Sequence, residues 1–279
     1  MATMKVRIAV SPPPGLLSAE RLIAFAGELE RAGFDGIWLS DLPVGPALDP
    51  LLALATLAAR TDTLHLGANV VPFGRSPFVL ARTLAQLDQL TGGRLLLIFV
   101  TGLHQPGEGE ALGLNGGDRR ALLEHVLADA RAYWQDGEPP TRPVQDPLEV
   151  WLGGRRAGSL RLAGRIADGW LGAFLTPAEA AAARARIQAA AAEAGREVDP
   201  EHFGMSIPYT PAPPSAAQLR ALAARRPGVA PESALGVGRD GLRALIEGYV
   251  DAGLSKFVVR PIGDPDVAWL ADAILDLQT

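Results

Sequence analysis

Short apolar runs alternate with amphipathic segments along the whole chain. Continuous apolar runs are typical of parallel strands that are buried on both faces, and the segments between them have helical spacing. The predicted strands are, in chain order, Val6–Val10, Gly36–Leu39, Leu64–Val70, Leu95–Val100, Glu149–Leu152, Trp170–Ala173, Phe203–Pro208 and Lys256–Arg260. Each is followed by a predicted helix, and eight such units predict an α/β fold, a (β/α)8 TIM barrel. A doubly wound open sheet is the alternative, which eight units make the weaker interpretation.

Capping residues mark the limits of the predicted helices. Pro directly follows the capping residue at Asp49-Pro50, Ser76-Pro77 and Thr176-Pro177, where its missing N–H group is harmless. The chain contains 31 Gly and 23 Pro, and the many junctions between strands and helices account for this excess. The helices are predicted over Ser18–Ala32, from Asp49, from Ser76 to Thr91, over Asp118–Asp136, over Ser159–Ile166, from Thr176 to about Gly195, and over Ser215–Arg226, Asp240–Ala252 and Asp264–Leu277.

Two connections are longer than the others. Gly102–Gly117 follows the fourth strand, and an irregular insertion over about residues 209–238 follows the seventh strand and carries one helix. Loops of this length in a compact domain are usually lids or binding loops. We therefore expect a single barrel domain over residues 1–279, with its active site at the carboxyl ends of the strands and these two insertions beside it.

Composition excludes several classes of protein. The chain has 26 Lys and Arg against 31 Asp and Glu, a net charge of −5, and no basic run, so we expect no nucleic-acid partner. The longest apolar run, Leu95–Val100, is far shorter than the ~20 residues that span a bilayer, so we expect no membrane partner. With no secretory signal apparent, we expect a cytoplasmic protein. The absence of cysteine excludes disulfides, thiol nucleophiles and iron–sulfur clusters.

A glycine-rich turn after the fifth strand is a candidate phosphate site. Gly153-Gly154 lets the backbone approach a ligand, and Arg155-Arg156 adds positive charge just before a predicted helix, whose first N–H groups are free. A tight turn with two solvated arginines is the alternative interpretation. No P-loop motif is present.

Two titratable residues follow strands at the expected active-site face. His104 lies in the loop after the fourth strand, where its near-neutral pKa would suit a general acid or base, although a solvated loop histidine is the simpler interpretation. Asp41 follows the second strand and either orients a ligand or caps local backbone N–H groups. The histidines lack metal-ligand spacing, so we expect no metal. Lys5 and Lys256, the only lysines, stand at strand starts, which disfavours an aldolase or isomerase that uses a Schiff base.

Several segments, in this order, resemble the luciferase-like monooxygenase superfamily, whose members are TIM-barrel flavoproteins that use FMN or the deazaflavin F420. The pattern Leu-Asp-x-Leu-Thr-Gly-Gly-Arg before an apolar strand, and Ala-Asp-Gly-Trp later, are the most specific pieces. The matching segments are Leu29–Asp41, Leu51–Thr61, Leu66–Val70, Pro77–Leu95, Val150–Gly154 and Ala163–Trp170. They extend over most of the chain.

The resemblance implies that a flavin or deazaflavin ring lies in the mouth of the barrel. The residues expected to bind the cofactor are Asp41, Asn69, Val70, Thr101 and Gly102 at the ring and Gly153, Gly154, Arg155 and Arg156 at the phosphate. In relatives that use F420, a non-prolyl cis peptide follows the third strand, which here corresponds to Asn69–Val70. From the segments at the third and fourth strands together, we slightly prefer F420 over FMN.

Two departures from the family pattern change the expected chemistry. Leu42 stands where many relatives have His after the strand-two Asp, which makes His104 and Asp41 the catalytic candidates. The family's Gly-x-Gly after the fourth strand is Val100-Thr101-Gly102 here. The usual lysines for an F420 tail are not evident, and Arg155, Arg156 and Arg260 are the candidates to take their place.

The resulting hypothesis is an oxidoreductase that transfers a hydride between F420 or FMN and a small organic substrate. A non-catalytic barrel that binds a flavin or a phosphate ligand is the alternative, and Leu42 gives it some weight. We also expect a homodimer, because barrels of this kind commonly dimerise through helices near the second and third strands. Leu51, Leu54 and Leu57 are the candidate contacts, with ordinary packing against the barrel as the alternative.

Overall fold

A closed parallel barrel is the observed architecture, as predicted. The computed structural model describes residues 4–13, 15–114, 116–137 and 142–279. The strands are β1 (Arg7–Val10), β2 (Gly36–Ser40), β3 (His65–Val70), β4 (Leu95–Phe99), β5 (Val150–Gly153), β6 (Trp170–Ala173), β7 (Phe203–Thr210), β8 (Gly236–Val237) and β9 (Lys256–Pro261). They pair in the order β6-β5-β4-β3-β2-β1-β9-β7, and the β6–β7 pairing closes the ring of eight strands. The two-residue β8 pairs only with the end of β7.

The helices surround this barrel. They are α1 (Ala19–Ala32), α2 (Pro50–Ala58), α3 (Pro77–Thr91), α4 (Glu108–Ala111), α5 (Arg119–Asp136), α6 (Ala157–Ile166), α7 (Pro177–Glu193), α8 (Ala216–Arg225), α9 (Gly238–Asp251) and α10 (Val267–Ile274). The predicted caps are present: Asp49, Ser76 and Thr176 each accept a backbone N–H bond at a helix start. Gly33 ends α1 with a φ of 91°, in the left-handed region.

Two short elements were not predicted. The four-residue α4 lies inside the loop after β4, and β8 lies inside the insertion after β7. Neither is long enough to carry a hydrophobic period, so pattern analysis has no signal for them. The insertion was predicted to begin at residue 209, but β7 continues to Thr210 because its last residues pair with β8 and β9.

The core has two layers separated by the barrel wall. Ala9, Trp38, Ile98, Leu171 and Val258 pack along the barrel axis. The larger cluster lies between the strands and the helices. Gly67 makes room for an indole in the inner layer, since a Cβ there would stand 2.2 Å from Trp38 Cε3. Strand alternation thus fills the axis with side chains, as in a packed TIM barrel.

The leucines predicted as dimer contacts belong to the outer core. Leu51, Leu54 and Leu57 are 5%, 0% and 0% exposed. That prediction is wrong, because α2 turns these three side chains toward α3 and the barrel wall. The alternative, ordinary packing against the barrel, is the one observed. Among the described helices, none is long and apolar enough to cross a membrane.

Candidate active site

The carboxyl ends of the strands form a polar layer above the apolar axis. Every second side chain of a strand faces the axis, so the residues two positions after the inner-core residues face it as well. This layer includes the polar Ser11, Ser40, Asn69 and Arg260 and the non-polar Val100, Gly153 and Ala173. We call this end of the barrel, with the loops that follow its strands, the barrel mouth.

Asn69 is held by hydrogen bonds from both sides. Its Oδ1 accepts from Trp38 Nε1 at 3.3 Å, and its Nδ2 donates to Ser40 Oγ at 3.2 Å. These bonds fix the orientation of the amide, with the oxygen toward the indole. The side chain of Val70, by contrast, is buried in the outer core, so only the Val70 backbone reaches the barrel mouth.

Asp41 stands directly after β2, beside the end of β3. Its Oδ2 accepts from Val71 N at 3.1 Å, and its own N–H donates to the Asn69 carbonyl. Burial raises the pKa of the Asp41 carboxyl, and the nearby Asp49 and Glu108 carboxylates raise it further, while the bond from Val71 N and the charge of Arg75 oppose them. One carboxylate oxygen is therefore used by the backbone, and the other, Oδ1, has no hydrogen bond from the described residues.

The non-prolyl cis peptide expected at Asn69–Val70 is not found. Among the described residues, the cis peptide bond is at Asp146–Pro147. Asn69 and Val70 lie inside β3 in regular register with Ile98 and Phe99 of β4, which a trans peptide maintains. The third strand therefore does not favour F420 over FMN.

A buried ion pair organises the loop after β4. Glu108 is 1% exposed, and its carboxylate accepts from Leu103 N and His104 N, each at 3.1 Å. Arg119 at the start of α5 donates to the same carboxylate and, at 2.9 Å, to the Thr101 carbonyl. Burial raises the pKa of Glu108, but the bonds from Arg119 and the two N–H groups more than offset it, so its pKa is lowered.

This ion pair requires glycine at position 102. Gly102 has a φ of 82°, and a Cβ there would stand 2.2 Å from Glu108 Oε1. His104 also adopts a positive φ, 56°, and its imidazole is exposed. The structure thus fixes the His104 backbone close to the barrel mouth but leaves its side chain toward solvent. The roles of Glu108 and Arg119 were missed because nothing in the spacing separates Glu108 from the neighbouring Glu110.

The Gly153-Gly154 turn and the start of α6 form the candidate phosphate site, which we call the anion cradle, and both of its glycines are packed against other side chains. A Cβ on Gly153 would stand 2.8 Å from Val100 Cγ1, and one on Gly154, whose φ is 122°, would stand 2.8 Å from Ser159 Cβ. Trp170 Nε1 donates to the Gly154 carbonyl at 2.8 Å and fixes the turn. Helix α6 begins at the next residues with no side-chain cap, so its first N–H groups are free to bind an anion.

Arginines from two segments surround this turn. Arg155 and Arg156 are exposed, and Arg155 donates to the Arg225 carbonyl at 3.0 Å. Burial lowers the pKa of Arg155, and the positive charges of Arg226 and Arg156 lower it further. The insertion thus brings Arg225 and Arg226 beside the predicted pair. Sequence analysis missed both, because they lie about 70 residues away along the chain.

Glu179 holds the insertion against the barrel. Arg226 donates to the Glu179 carboxylate and to the Phe174 carbonyl, and Thr176 donates to the same carboxylate as part of the α7 capping box. These bonds, with that of Arg226 the strongest cause, lower the pKa of Glu179 to about 2. Within the described ranges, no cluster of three His, Asp or Glu side chains could hold a metal ion.

Comparison with known proteins identifies the family to which the chain belongs. A family model for luciferase-like monooxygenases matches residues 3–251. A 4-hydroxyprotoasukamycin monooxygenase from Streptomyces nodosus subsp. asukaensis is 34% identical over 160 residues, which are 54% of this chain and 42% of that protein. A 5,10-methylenetetrahydromethanopterin reductase from Methanolobus tindarius is 26% identical over 194 residues, 63% of this chain and 57% of the other. The matches span about half the length of these relatives.

Solved structures with the same fold cover the whole barrel. An F420-dependent secondary alcohol dehydrogenase, in complex with an F420-acetone adduct, superposes with a TM-score of 0.84 over 99% of this chain and 100% of its own, at 17% identity. The oxygenating constituent of 3,6-diketocamphane monooxygenase from Pseudomonas putida, in complex with FMN, has a TM-score of 0.75 over 97% of this chain and 96% of its own, at 17% identity. At this identity, the likeness establishes the fold alone.

Proposed function

Because the chain belongs to the luciferase-like monooxygenase family, we propose that it is an oxidoreductase that uses F420 or FMN to transfer a hydride to or from a small organic substrate. The observation that carries the proposal is the anion cradle of Gly153-Gly154 at the uncapped start of α6, beside the exposed Arg155 and Arg156. It opens on the same barrel mouth as the polar groups of β2 and β3. A slight preference for F420 now rests on the segment after β4 alone.

The residues at the mouth fit a phosphorylated ring cofactor. Gly153 and Gly154 pack closely against Val100 and Ser159, so the turn needs both glycines. The charges of Arg155 and Arg156 have no carboxylate within 4 Å among the described residues. We propose that this turn holds the phosphate. Asp41, Asn69, Thr101, Gly102 and the Val70 backbone are proposed to hold the ring, which when bound supplies a carbon or nitrogen atom that accepts or delivers a hydride.

Asp41 and His104 are the proposed acid and base groups. Oδ2 of Asp41 is anchored by Val71 N, so the raised pKa leaves a proton on Oδ1 to higher pH than in an ordinary aspartic acid. His104 stands on a backbone fixed by Glu108, and its exposed imidazole could approach the mouth by side-chain rotation. The loop and the insertion are proposed to exclude water from the space between them.

We propose a homodimer in the cytoplasm with no nucleic-acid or membrane partner. Since Leu51, Leu54 and Leu57 are buried, the contact surface would have to come from exposed apolar side chains nearby. Leu52 is 72% exposed, and Val79 at the start of α3 is 52% exposed.

Cofactor binding is the first test of the proposed function. Titration of the protein with FMN and with F420, followed by the change in cofactor fluorescence, is expected to give a Kd below ~100 μM for one of them. If neither binds in that range, the proposed function is wrong. Binding without any turnover of a panel of small ketones and oxo acids would favour the non-catalytic alternative.

The pH dependence tests the role of Asp41. Asp41 is protonated below its raised pKa and loses its proton as the pH rises through that value. An activity that needs this proton therefore decreases as the pH rises above the pKa. Asp41→Asn keeps an acceptor for Val71 N but removes the titration, and we expect kcat to fall ~10²-fold with that limb of the profile abolished. A profile unchanged in shape would exclude Asp41 as the acid.

A further inference from the structure

Arg260 faces the barrel mouth without a negative partner. It stands two residues after Val258, which packs on the barrel axis, so the Arg260 side chain faces the axis one layer higher. No carboxylate among the described residues lies within salt-bridge distance of its guanidinium. Its hydrogen bond is a long one, 3.5 Å from Nη1 to Ser40 Oγ. Burial lowers the pKa of Arg260, and the positive charge of Arg225 lowers it further.

Such a charge is costly to the folded protein. A partly desolvated guanidinium gives up hydration and regains it only when a negative group or several acceptors surround it. At the amino end of the same strand, Lys256 does have a partner, Glu201 Oε2 at 3.6 Å from Nζ. Arg260 therefore lacks the carboxylate partner that Lys256 has on the same strand. This points to a negatively charged partner that is not part of the chain.

A second unpaired polar group lies beside it on the neighbouring strand. Ser11 follows Ala9 by two residues on the inner face of β1, and its N–H donates to the Val259 carbonyl at 2.9 Å. The β1–β9 register, Ala9 opposite Val258, sets Ser11 level with Arg260. Ser11 is 6% exposed, and its Oγ has no hydrogen-bond partner. A buried hydroxyl without a partner is unusual in a native protein.

We propose that Arg260, Ser11 and Ser40 form a subsite that binds the carboxylate of the substrate. The guanidinium offers two N–H groups in the fork that matches a carboxylate, and both hydroxyls can donate to the same oxygens. A cationic substrate group would be repelled by the charge of Arg260, and an apolar group would leave the Ser11 hydroxyl without a hydrogen-bond partner. The subsite rests on the proposed function and deepens it, since it gives the substrate class as small organic acids.

The position favours the substrate over the cofactor as the source of the anionic oxygen. The anion cradle lies after β5 and has Arg155 and Arg156, so Arg260, a candidate for an F420 tail in the sequence, is not needed there. The proposed ring contacts lie after β2, β3 and β4. Arg260 and Ser11 belong to β9 and β1, which pair with each other on the other side of β2. Ser40 connects the two groups, because its Oγ accepts from both Asn69 and Arg260.

Stability measurements separate a binding role from a structural one. Because the charge of Arg260 is unpaired, Arg260→Met is expected to leave Tm unchanged or to raise it, and Ser11→Ala is expected to do the same. Arg186→Met, an exposed position on α7, is the control for loss of one arginine. A fall in Tm that is much larger for Arg260→Met than for the control would mean that Arg260 serves the fold, and would overturn the proposal.

Binding measurements test the ligand itself. We titrate the cofactor-free protein, and the protein saturated with FMN, with acetate, propionate and 2-oxobutanoate by calorimetry. Wild type and Arg186→Met are expected to bind at least one of these acids, Arg260→Met to lose tenfold or more in affinity, and Ser11→Ala to lose about threefold. Absence of binding, or equal affinity in wild type and Arg260→Met, would overturn the subsite.

One further measurement distinguishes the two sources of an anionic oxygen. If Arg260→Met changes the reduction potential of the bound ring but leaves acid binding unchanged, the partner of Arg260 is the ring and the substrate assignment is wrong. Failure of the proposed function is seen separately, since it would be absence of FMN and F420 binding, whereas the titration of the cofactor-free protein measures acid binding without either cofactor.

Discussion

At the amino end of the barrel, charged side chains stand beside opposite charges, whereas at the barrel mouth several do not. Arg7 Nε lies 3.6 Å from Asp35 Oδ1, and Lys256 Nζ lies 3.6 Å from Glu201 Oε2. At the mouth, the guanidinium of Arg260 has no carboxylate nearby among the described residues, and Asp41 has two other carboxylates as neighbours. The two ends are built from the same eight strands, so the strands themselves do not cause the difference.

The difference indicates which end is arranged for stability and which for binding. The charges at the amino end are paired within the chain and need no ligand. A conservative substitution that removes one pair should therefore cause only a small loss of stability. Unpaired or repelling groups at the mouth cost stability unless something binds to them. This division agrees with the location of active sites at the carboxyl ends of TIM-barrel strands.

The largest effect on stability is expected at the Glu108–Arg119 ion pair, which lies in the loop at the barrel mouth. Glu108→Ala leaves the partly buried Arg119 without its partner and removes the acceptor of two backbone N–H groups, so we expect a loss of about 3 kcal/mol in the free energy of unfolding. The measurement is urea unfolding followed by circular dichroism. Glu247→Ala, which breaks the exposed Arg243–Glu247 pair on α9, is the control and should cost about 0.5 kcal/mol or less. Similar losses in both variants would mean that the Glu108 pair does not organise the loop.

A smaller effect is expected at the anion cradle, and on binding more than on stability. Gly154→Ala would bring a Cβ to 2.8 Å from Ser159 and distort the turn, so we expect cofactor affinity to fall about tenfold or more. Gly263→Ala is the matched control, because Gly263 also has a positive φ, 104°, but nothing lies within 4 Å of its added Cβ. Both should lose about 1–3 kcal/mol from backbone strain. Equal cofactor affinity in the two variants would contradict the assignment of this turn.

The smallest effect is expected at the amino end. Asp35→Asn removes the carboxylate that lies near Arg7 and His65, each 3.6 Å away, and both partners are partly exposed. We expect a loss of about 0.5–1 kcal/mol in the free energy of unfolding and no change in cofactor affinity. Thermal unfolding and the FMN and F420 titrations measure the two. A loss of cofactor affinity in Asp35→Asn would contradict the assignment of stability to the amino end and of binding to the barrel mouth.

Much of this molecule could be derived from its sequence because the deciding forces are local or periodic. Continuous apolar runs located all eight barrel strands, and the Pro and Gly positions located the helix limits, since burial and capping act on residues close together in the chain. The family resemblance rested on segments whose order is visible in the sequence, and the match over residues 3–251 confirms it. The turn at Gly153-Gly154 was recognisable for the same reason.

Only the tertiary structure decided which side chains meet at the barrel mouth. Whether a charge is paired depends on distances between strands and loops that are far apart in the chain, as with Arg226 and Glu179 or Arg119 and Thr101. The sequence allowed Leu51, Leu54 and Leu57 to be dimer contacts, but the structure packs them in the core. The unpaired Ser11 hydroxyl has no sequence signal at all, because an unmade hydrogen bond is a property of the surroundings and not of the residue.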